Sequence, residues 1–361
     1  MTFIKIITEW VGRLLAFLNV VAAIAMCAVS YAHLVSPAKY ANTELLALVF
    51  PLPLAVCLAF LLFWLLANRK MCLISLAALL VCWGPIRDYC PVNLPSSAPK
   101  DCLTIMSFNV YNFPGCNTMS EKADTMIAYL SNSGADILCL QETAHKNEDI
   151  IDERMSNAGY HHVAHHIRDG AEHIAVYSKY PILWDEEIPI DSKYNICAAV
   201  CVDVNGKPLL LMNCHLESFS FHHWEKKAIQ NMLERKNKLD DKHKRKYLGK
   251  VLTSARKRAA QADVLAQYIR EHRDMSIVLC GDFNDPPNSY AYHQIAKELN
   301  NCYRRRATGP GFTYNRGGLY FRIDNIFCSS DIETYTCEID AKTNISDHYP
   351  IVCKVKMASK P

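Results

Sequence analysis

Ile277-Val278-Leu279-Cys280-Gly281-Asp282-Phe283-Asn284-Asp285 reads as a short apolar strand that stops at a glycine, followed at once by two carboxylates and an amide. Short apolar, partly β-branched runs bounded by turn residues are buried strands, so the polar groups here fall where a strand ends. Other stretches repeat the arrangement. Leu140-Gln141-Glu142-Thr143 closes the run from Ile137, Met106-Ser107-Phe108-Asn109 follows Leu103 to Ile105, and Asn213-Cys214-His215-Leu216-Glu217 follows Leu209 to Met212. Arg322-Ile323-Asp324 sets an aspartate between apolar neighbours, and Ser346-Asp347-His348-Tyr349-Pro350 leads into the run from Ile351.

The same reading gives strands at Thr104 to Phe108, Ile137 to Leu140, Ile174 to Tyr177, Leu209 to Asn213, Ile277 to Cys280 and Ile351 to Val355. Helices fit Glu121 to Ser131, Asp149 to Asn157 and Ala255 to Arg270, where Leu265, Tyr268 and Ile269 form a stripe with helical spacing. Strands alternating with helices imply a layered α/β domain with its polar motifs gathered at one sheet edge. Carboxylate, amide and imidazole groups collected in this way suit a divalent-metal site that works on phosphoesters.

The chain has 361 residues, half of them hydrophobic, and a net charge of +3. That composition excludes a disordered or uniformly basic protein. The apolar residues crowd the first ninety positions. Leu14 to Ala32 and Leu45 to Leu66 match transmembrane lengths, and Met71 to Ile86 is shorter. A cleaved signal peptide accounts for the first run alone. Residues 1–86 are therefore read as an anchor of three transmembrane helices, with two spans plus an interfacial helix as the alternative. Lys5, Arg13, Arg69 and Lys70 fall on the cytoplasmic side of that arrangement and Lys39 on the other, which places everything after Ile86 outside. Pro85, Pro91, Pro95 and Pro99 make the connection to the domain a stiff, extended tether, with the linker assigned to 87–101 and the soluble domain to 102–361.

Sixteen cysteines form no Cys-x-x-Cys pair and no Cys/His grouping of zinc spacing; Cys139 and Cys280, inside apolar runs, read as packed small hydrophobes, and no disulfide framework is expected. His161, His162, His165 and His166 alternate unevenly along an apparent strand and read as surface or packing residues, because Mg²⁺ does not call for imidazole. From Lys226 to Arg258 there are thirteen Lys or Arg against three acidic residues. This is either a solvated helix face or an insertion that meets nucleic-acid phosphates or lipid headgroups.

Asn109, Gln141-Glu142, Asn213-x-His215, Gly281-Asp282-Phe283-Asn284, Arg322-Ile323-Asp324 and Ser346-Asp347-His348 occur in the order that marks the endonuclease/exonuclease/phosphatase superfamily, which the chain resembles over residues 102 to 357. The resemblance implies a four-layer α/β sandwich with two central β-sheets, here preceded by the transmembrane helical anchor. It implies an Mg²⁺ site, with Mn²⁺ as a substitute, in which Glu142 is the main ligand and Asn109 and Asp347 lie close to the ion. By the same resemblance Asp282 orients and deprotonates the attacking water, and Asn284 donates its amide N–H to a phosphoryl oxygen. His348 and His215 are further donors, and Asp324 pairs with His348 and keeps it protonated. His173 stands where relatives commonly have a small residue, a departure that would reshape the cleft.

These readings describe a metal-dependent phosphoester hydrolase integral to a bacterial inner membrane, its catalytic domain periplasmic. The substrate is a nucleic acid or a phospholipid headgroup, and no protein partner is expected. Asn344-Ile345-Ser346 is a glycosylation acceptor overlapping the last motif, a conflict that a bacterial envelope avoids. The competing reading is a catalytically inactive tethered module that binds anionic ligands.

Overall fold

The computed structural model describes residues 3–114, 119–143, 147–168, 173–219, 221, 223–233, 240–316 and 320–358. Twelve strands are present among them: β1 Leu103–Asn109, β2 Ile137–Gln141, β3 His162–Ile167, β4 His173–Ser178, β5 Ile182–Ile188, β6 Cys197–Val204, β7 Lys207–His215, β8 Ser276–Asp282, β9 Asn300–Asn301, β10 Asp324–Cys328, β11 Ile332–Ile339 and β12 Ile351–Met357. The helices are α1 Phe3–Ser30, α2 Thr43–Val49, α3 Pro51–Ala67, α4 Cys72–Val81, α5 Trp83–Tyr89, α6 Glu121–Ser131, α7 Glu148–Asn157, α8 His223–Leu233, α9 Asp241–Glu271, α10 Tyr290–Ala296 and α11 Cys302–Arg306.

The strands build two mixed sheets in the orders β11-β12-β1-β2-β4-β3 and β5-β6-β7-β8-β10-β9. Central strands such as β2 and β8 are apolar on both faces because both faces are covered. One face of each sheet meets the other sheet across Ile105, Cys139, Val176, Leu211, Val278 and Ile326. The outer face of the first sheet is capped by Met126 and Leu130 of α6 and Ile151 of α7, and that of the second by Ala262 and Leu265 of α9 and Ile295 of α10. The result is the expected four-layer sandwich. Gln141 fastens its two halves: its Nε2 donates to Asn213 Oδ1 (2.7 Å), while Asn213 Nδ2 donates to the carbonyls of Leu140 and Ala175 (3.0 and 3.1 Å).

At the other end of the chain, α1 packs on α3 and α4, with Ser75 Oγ donating to Asn19 Oδ1 (2.6 Å) inside the bundle. The stretch Glu9–Ser30 is long and apolar enough to cross a membrane. The second and third apolar runs are each bent pairs of helices, α2 with α3 at 50° and α4 with α5 at 69°.

The segment after the apolar runs departs from an extended tether. Residues 83–89 are helical, since the proline at 85 occupies the first turn, where its missing N–H leaves no bond unmade. Asn93 then lies on the α/β sandwich, donating from Nδ2 to the carbonyls of Arg304 (3.0 Å) and Ala307 (2.6 Å). α9 also begins at Asp241, well before the expected Ala255, because the Asp240 side chain caps it by accepting from His243 N.

Candidate active site

β1 and β2 run parallel with Asn109 beside Gln141, and β7 and β8 run parallel with His215 beside Asp282, so the polar residue that ends each strand arrives at one edge. Antiparallel β10 brings Asp324 opposite Asp282. Asp347 and His348 enter from the loop before β12, held by Ser346 Oγ, which donates to the Asn109 carbonyl (2.8 Å) and accepts from His348 N (3.2 Å). Asn109 then bridges the two sheets: its Nδ2 donates to Glu142 Oε1 (2.9 Å) and to Asp282 Oδ2 (3.1 Å). His348 Nε2 and His215 Nε2 stand 3.6 and 3.7 Å from the same Asp282 oxygen. The other Asp282 oxygen accepts from the backbone N–H of Asn284 (2.8 Å).

Two residues of the cluster have left-handed backbone, Glu142 and Asn284, both at φ +52°. Asparagine tolerates that region, whereas for glutamate it costs on the order of 1 to 3 kcal/mol and persists only where neighbours hold it. Here the Glu142 carbonyl accepts from Asn112 N (2.8 Å), and Thr143 N donates to the His173 carbonyl (2.9 Å). Asn284 Nδ2 donates to the Leu216 carbonyl (3.0 Å), so one of its amide protons is committed to joining the loops after β7 and β8.

Burial and charge set the protonation. Burial would push the His348 imidazole down, but the carboxylates of Asp324 and Asp282 outweigh it and hold it up to about 10. Its Nδ1–H donates to Asp324 Oδ2 (2.8 Å), which leaves Nε2–H aimed at the cluster. Burial raises the Asp282 carboxyl and the nearby Asp324 charge adds to this, while His348, His215 and the Asn284 N–H oppose them.

Asp282, Asp324 and His348 present ligand atoms within 4.8 Å of one another. The His348–Asp324 hydrogen bond makes that trio a proton-holding group, and Mg²⁺ favours oxygen donors over imidazole. Glu142, Asn109 and Asp347 offer such oxygens. Asp347 Oδ1 is buried without a hydrogen-bond partner, as an oxygen awaiting a cation would be. The residues present fit the group.

All eight residues expected at the site are thus assembled at one edge. The histidine cluster lies elsewhere, at and just before edge strand β3, where His165 sits between Glu148 (2.9 Å) and Asp152 (3.0 Å) and His166 meets Asp185 (3.1 Å). Part of the basic stretch is paired with acidic residues that precede it, Lys246 and Lys250 with Glu225 and Lys257 with Glu217, and residues 234–239 lie outside the described residues. Sequence reasoning missed Arg258, which is fully buried beneath the loops that carry His215 and Asp282. Its signal was its place on the apolar stripe of α9, between Ala255 and Ala262.

A model of the Endonuclease/Exonuclease/phosphatase family matches residues 106–348, a span that holds every one of these side chains. The chain belongs to that family. Phosphoester hydrolysis is the general chemistry of endonuclease/exonuclease/phosphatase enzymes, which generally use divalent metal ions. Residues 12–89 match a second model, described as a domain of unknown function (DUF8431).

Among solved structures, the human Nocturnin catalytic domain with bound sulfate is 17% identical, covering 71% of this chain and 94% of its own, with a TM-score of 0.52. D. rerio TDP2 complexed with single-strand DNA product is 18% identical over 72% of this chain and 100% of its own (TM-score 0.52). A family protein from Beutenbergia cavernae is 17% identical over 72% of each chain (TM-score 0.51). At these identities the likeness is one of fold. No curated protein matches the chain by sequence.

Proposed function

We propose that the protein is a membrane-anchored, Mg²⁺-dependent phosphoester hydrolase, with residues 1–86 as anchor, 87–101 as linker and 102–361 as catalytic domain. The observation that carries this reading is the Asp282 carboxylate, buried and surrounded by Asn109, His215 and His348 at 3.1 to 3.7 Å. Asp282 orients the attacking water and takes its proton. His348, charged through its bond to Asp324, donates from Nε2 to a phosphoryl or departing oxygen, and His215 and the second Asn284 amide proton are further donors. Glu142, Asn109 and Asp347 would hold the metal, which would neutralise charge on the phosphoryl oxygens.

The substrate follows from chemistry shared with the fold's relatives, of which TDP2 was crystallised with a single-strand DNA product. A nucleic-acid or phospholipid phosphodiester fits equally the charge pattern at the site. Hydrolysis of bis-p-nitrophenyl phosphate by the full-length protein should appear with Mg²⁺ or Mn²⁺ and vanish with EDTA. Glu142→Ala should demand a higher metal concentration for half-maximal rate, and His348→Ala should lose rate at an unchanged metal response. A rate indifferent to EDTA would sink the metal assignment. Binding without turnover would favour the inactive tethered module.

For topology we propose three spans with the catalytic domain outside the cytoplasm of a bacterial cell. In support, both the segment after α1 and the segment after α5 touch the catalytic domain: His33 stacks on His293 with ring centroids 3.6 Å apart, and Asn93 binds the α11 region. These contacts support a reading in which the two segments share a side, opposite the Arg69-Lys70 turn. Alkaline phosphatase fused at Ser96-Ser97 should be active, and green fluorescent protein at the same point should be dark. The reverse pattern would put the domain in the cytoplasm.

A further inference from the structure

α9 buries an apolar stripe of Ala255, Ala259, Ala262, Leu265 and Ile269, and Arg258 lies on that stripe with no exposed surface. A buried guanidinium is costly unless every side of it meets a partner. Its Nε lies 2.5 Å from Asp285 Oδ1, Nη1 donates to the Glu217 carbonyl (2.9 Å), Nη2 approaches Glu44 Oε1 (3.9 Å), and the plane covers the Phe219 ring at 4.8 Å. Asp285 comes three residues after Asp282, and Glu217 two after His215. The two loops are already laced together, since Leu216 N donates to the Asp282 carbonyl (2.9 Å) and Asn284 Nδ2 to the Leu216 carbonyl (3.0 Å). Arg258 holds both from below.

Its third partner comes from the other part of the chain. Glu44 belongs to α2 in the membrane segment and is itself buried, at 2% exposure. A second contact joins the linker to the domain. Asp88, at the end of α5, accepts on its carbonyl from Arg322 Nη2 and pairs its carboxylate with Arg304 Nε (2.7 Å). Arg322 stands two residues before Asp324. Glu44 of the membrane segment and Asp88 of the linker thus reach residues close in sequence to His215, Asp282 and Asp324.

We infer that Arg258 is a positioning residue through which Glu44 of the membrane segment holds the Asp282–Asp285 and His215–Glu217 loops in working geometry, so that the catalytic site is complete only with its anchor docked. This rests on the hydrolase reading above. An apolar contact would serve to pack a helix on a domain. Two carboxyl groups around one guanidinium fix a single register, which is the best-attested use of buried charge.

The test uses the full-length protein in detergent micelles with saturating Mg²⁺ and bis-p-nitrophenyl phosphate. Glu44→Ala, remote from the substrate, should lower kcat about 10- to 100-fold, the scale on which small misplacements of catalytic groups act, with KM and the metal response unchanged. Glu44→Gln keeps the side chain's length and hydrogen-bonding ends and should restore kcat to within about threefold of wild type, a loss far smaller than misplacement brings. Arg258→Met should resemble Glu44→Ala, and near-UV circular dichroism of each variant reports whether the domain remains folded. A folded Glu44→Ala protein with wild-type kcat overturns the inference, and so does Glu44→Gln failing as badly as alanine. A wild-type protein inert with Mg²⁺ and Mn²⁺ would instead remove the hydrolase reading and this inference with it.

Discussion

Asp282→Asn is expected to lower Mg²⁺-dependent turnover of bis-p-nitrophenyl phosphate by about 10²- to 10⁴-fold, the range that a positioned general base contributes. Asparagine keeps the shape, and its one amide oxygen can still accept from the Asn284 N–H, while its NH2 replaces the oxygen that accepts from Asn109 Nδ2. What it cannot do is take the proton from water. The same change removes the negative charge that, after Asp324, helps to hold His348 protonated, so acid and base suffer together. The loss should fall on kcat, measured at saturating metal and substrate, with the circular dichroism spectrum preserved. Wild-type turnover in this variant would mean that Asp282 is a structural carboxylate and that water is activated elsewhere.

The positions of several candidate site residues were legible because they sit where apolar strands stop, while their roles came from the resemblance to the family. A strand such as Ile277–Cys280 announces itself by composition, and the first polar residue beyond it needs no further argument. The illegible parts depended on partners far along the chain. β5 carries Asp185, Glu186 and Glu187 on an exposed edge, so no apolar alternation marked it. The first half of α9 is crowded with Lys and Arg, which masked its helical period until the Asp240 cap was visible. Gln141 and Asn213 stood within motifs without a role of their own, and their side chains bond each other and backbone carbonyls across the two sheets. Glu44 stands just before the apolar run from Leu45 and Arg258 on a helix, and nothing local to either signals that they approach each other across 214 positions of sequence (258 − 44).

Gly281→Ala should cost the folded state about 2 to 6 kcal/mol, adding a strained backbone (about 1 to 3) to an overpacked contact (about 1 to 3). Gly281 has φ +138°, and a Cβ built there meets the Cys214 carbonyl oxygen at 1.8 Å and its carbon at 2.7 Å. Those atoms are backbone, and Cys214 is the parallel partner of Gly281 in the β7–β8 ladder. Relief therefore means parting the strands just where His215 is brought beside Asp282. Against a typical stability of about 5 to 15 kcal/mol, a loss of this size takes much of what the domain has. Gly309→Ala is the control, because its φ of +93° is as unfavourable for a side chain while nothing lies within 4 Å of its Cβ. Denaturant midpoints of the two variants should separate the effects, with Gly309→Ala losing only the conformational part. Equal midpoints would mean that β7 and β8 do not approach so closely at Gly281, and the glycine ahead of Asp282 would then be there for its dihedral angle alone.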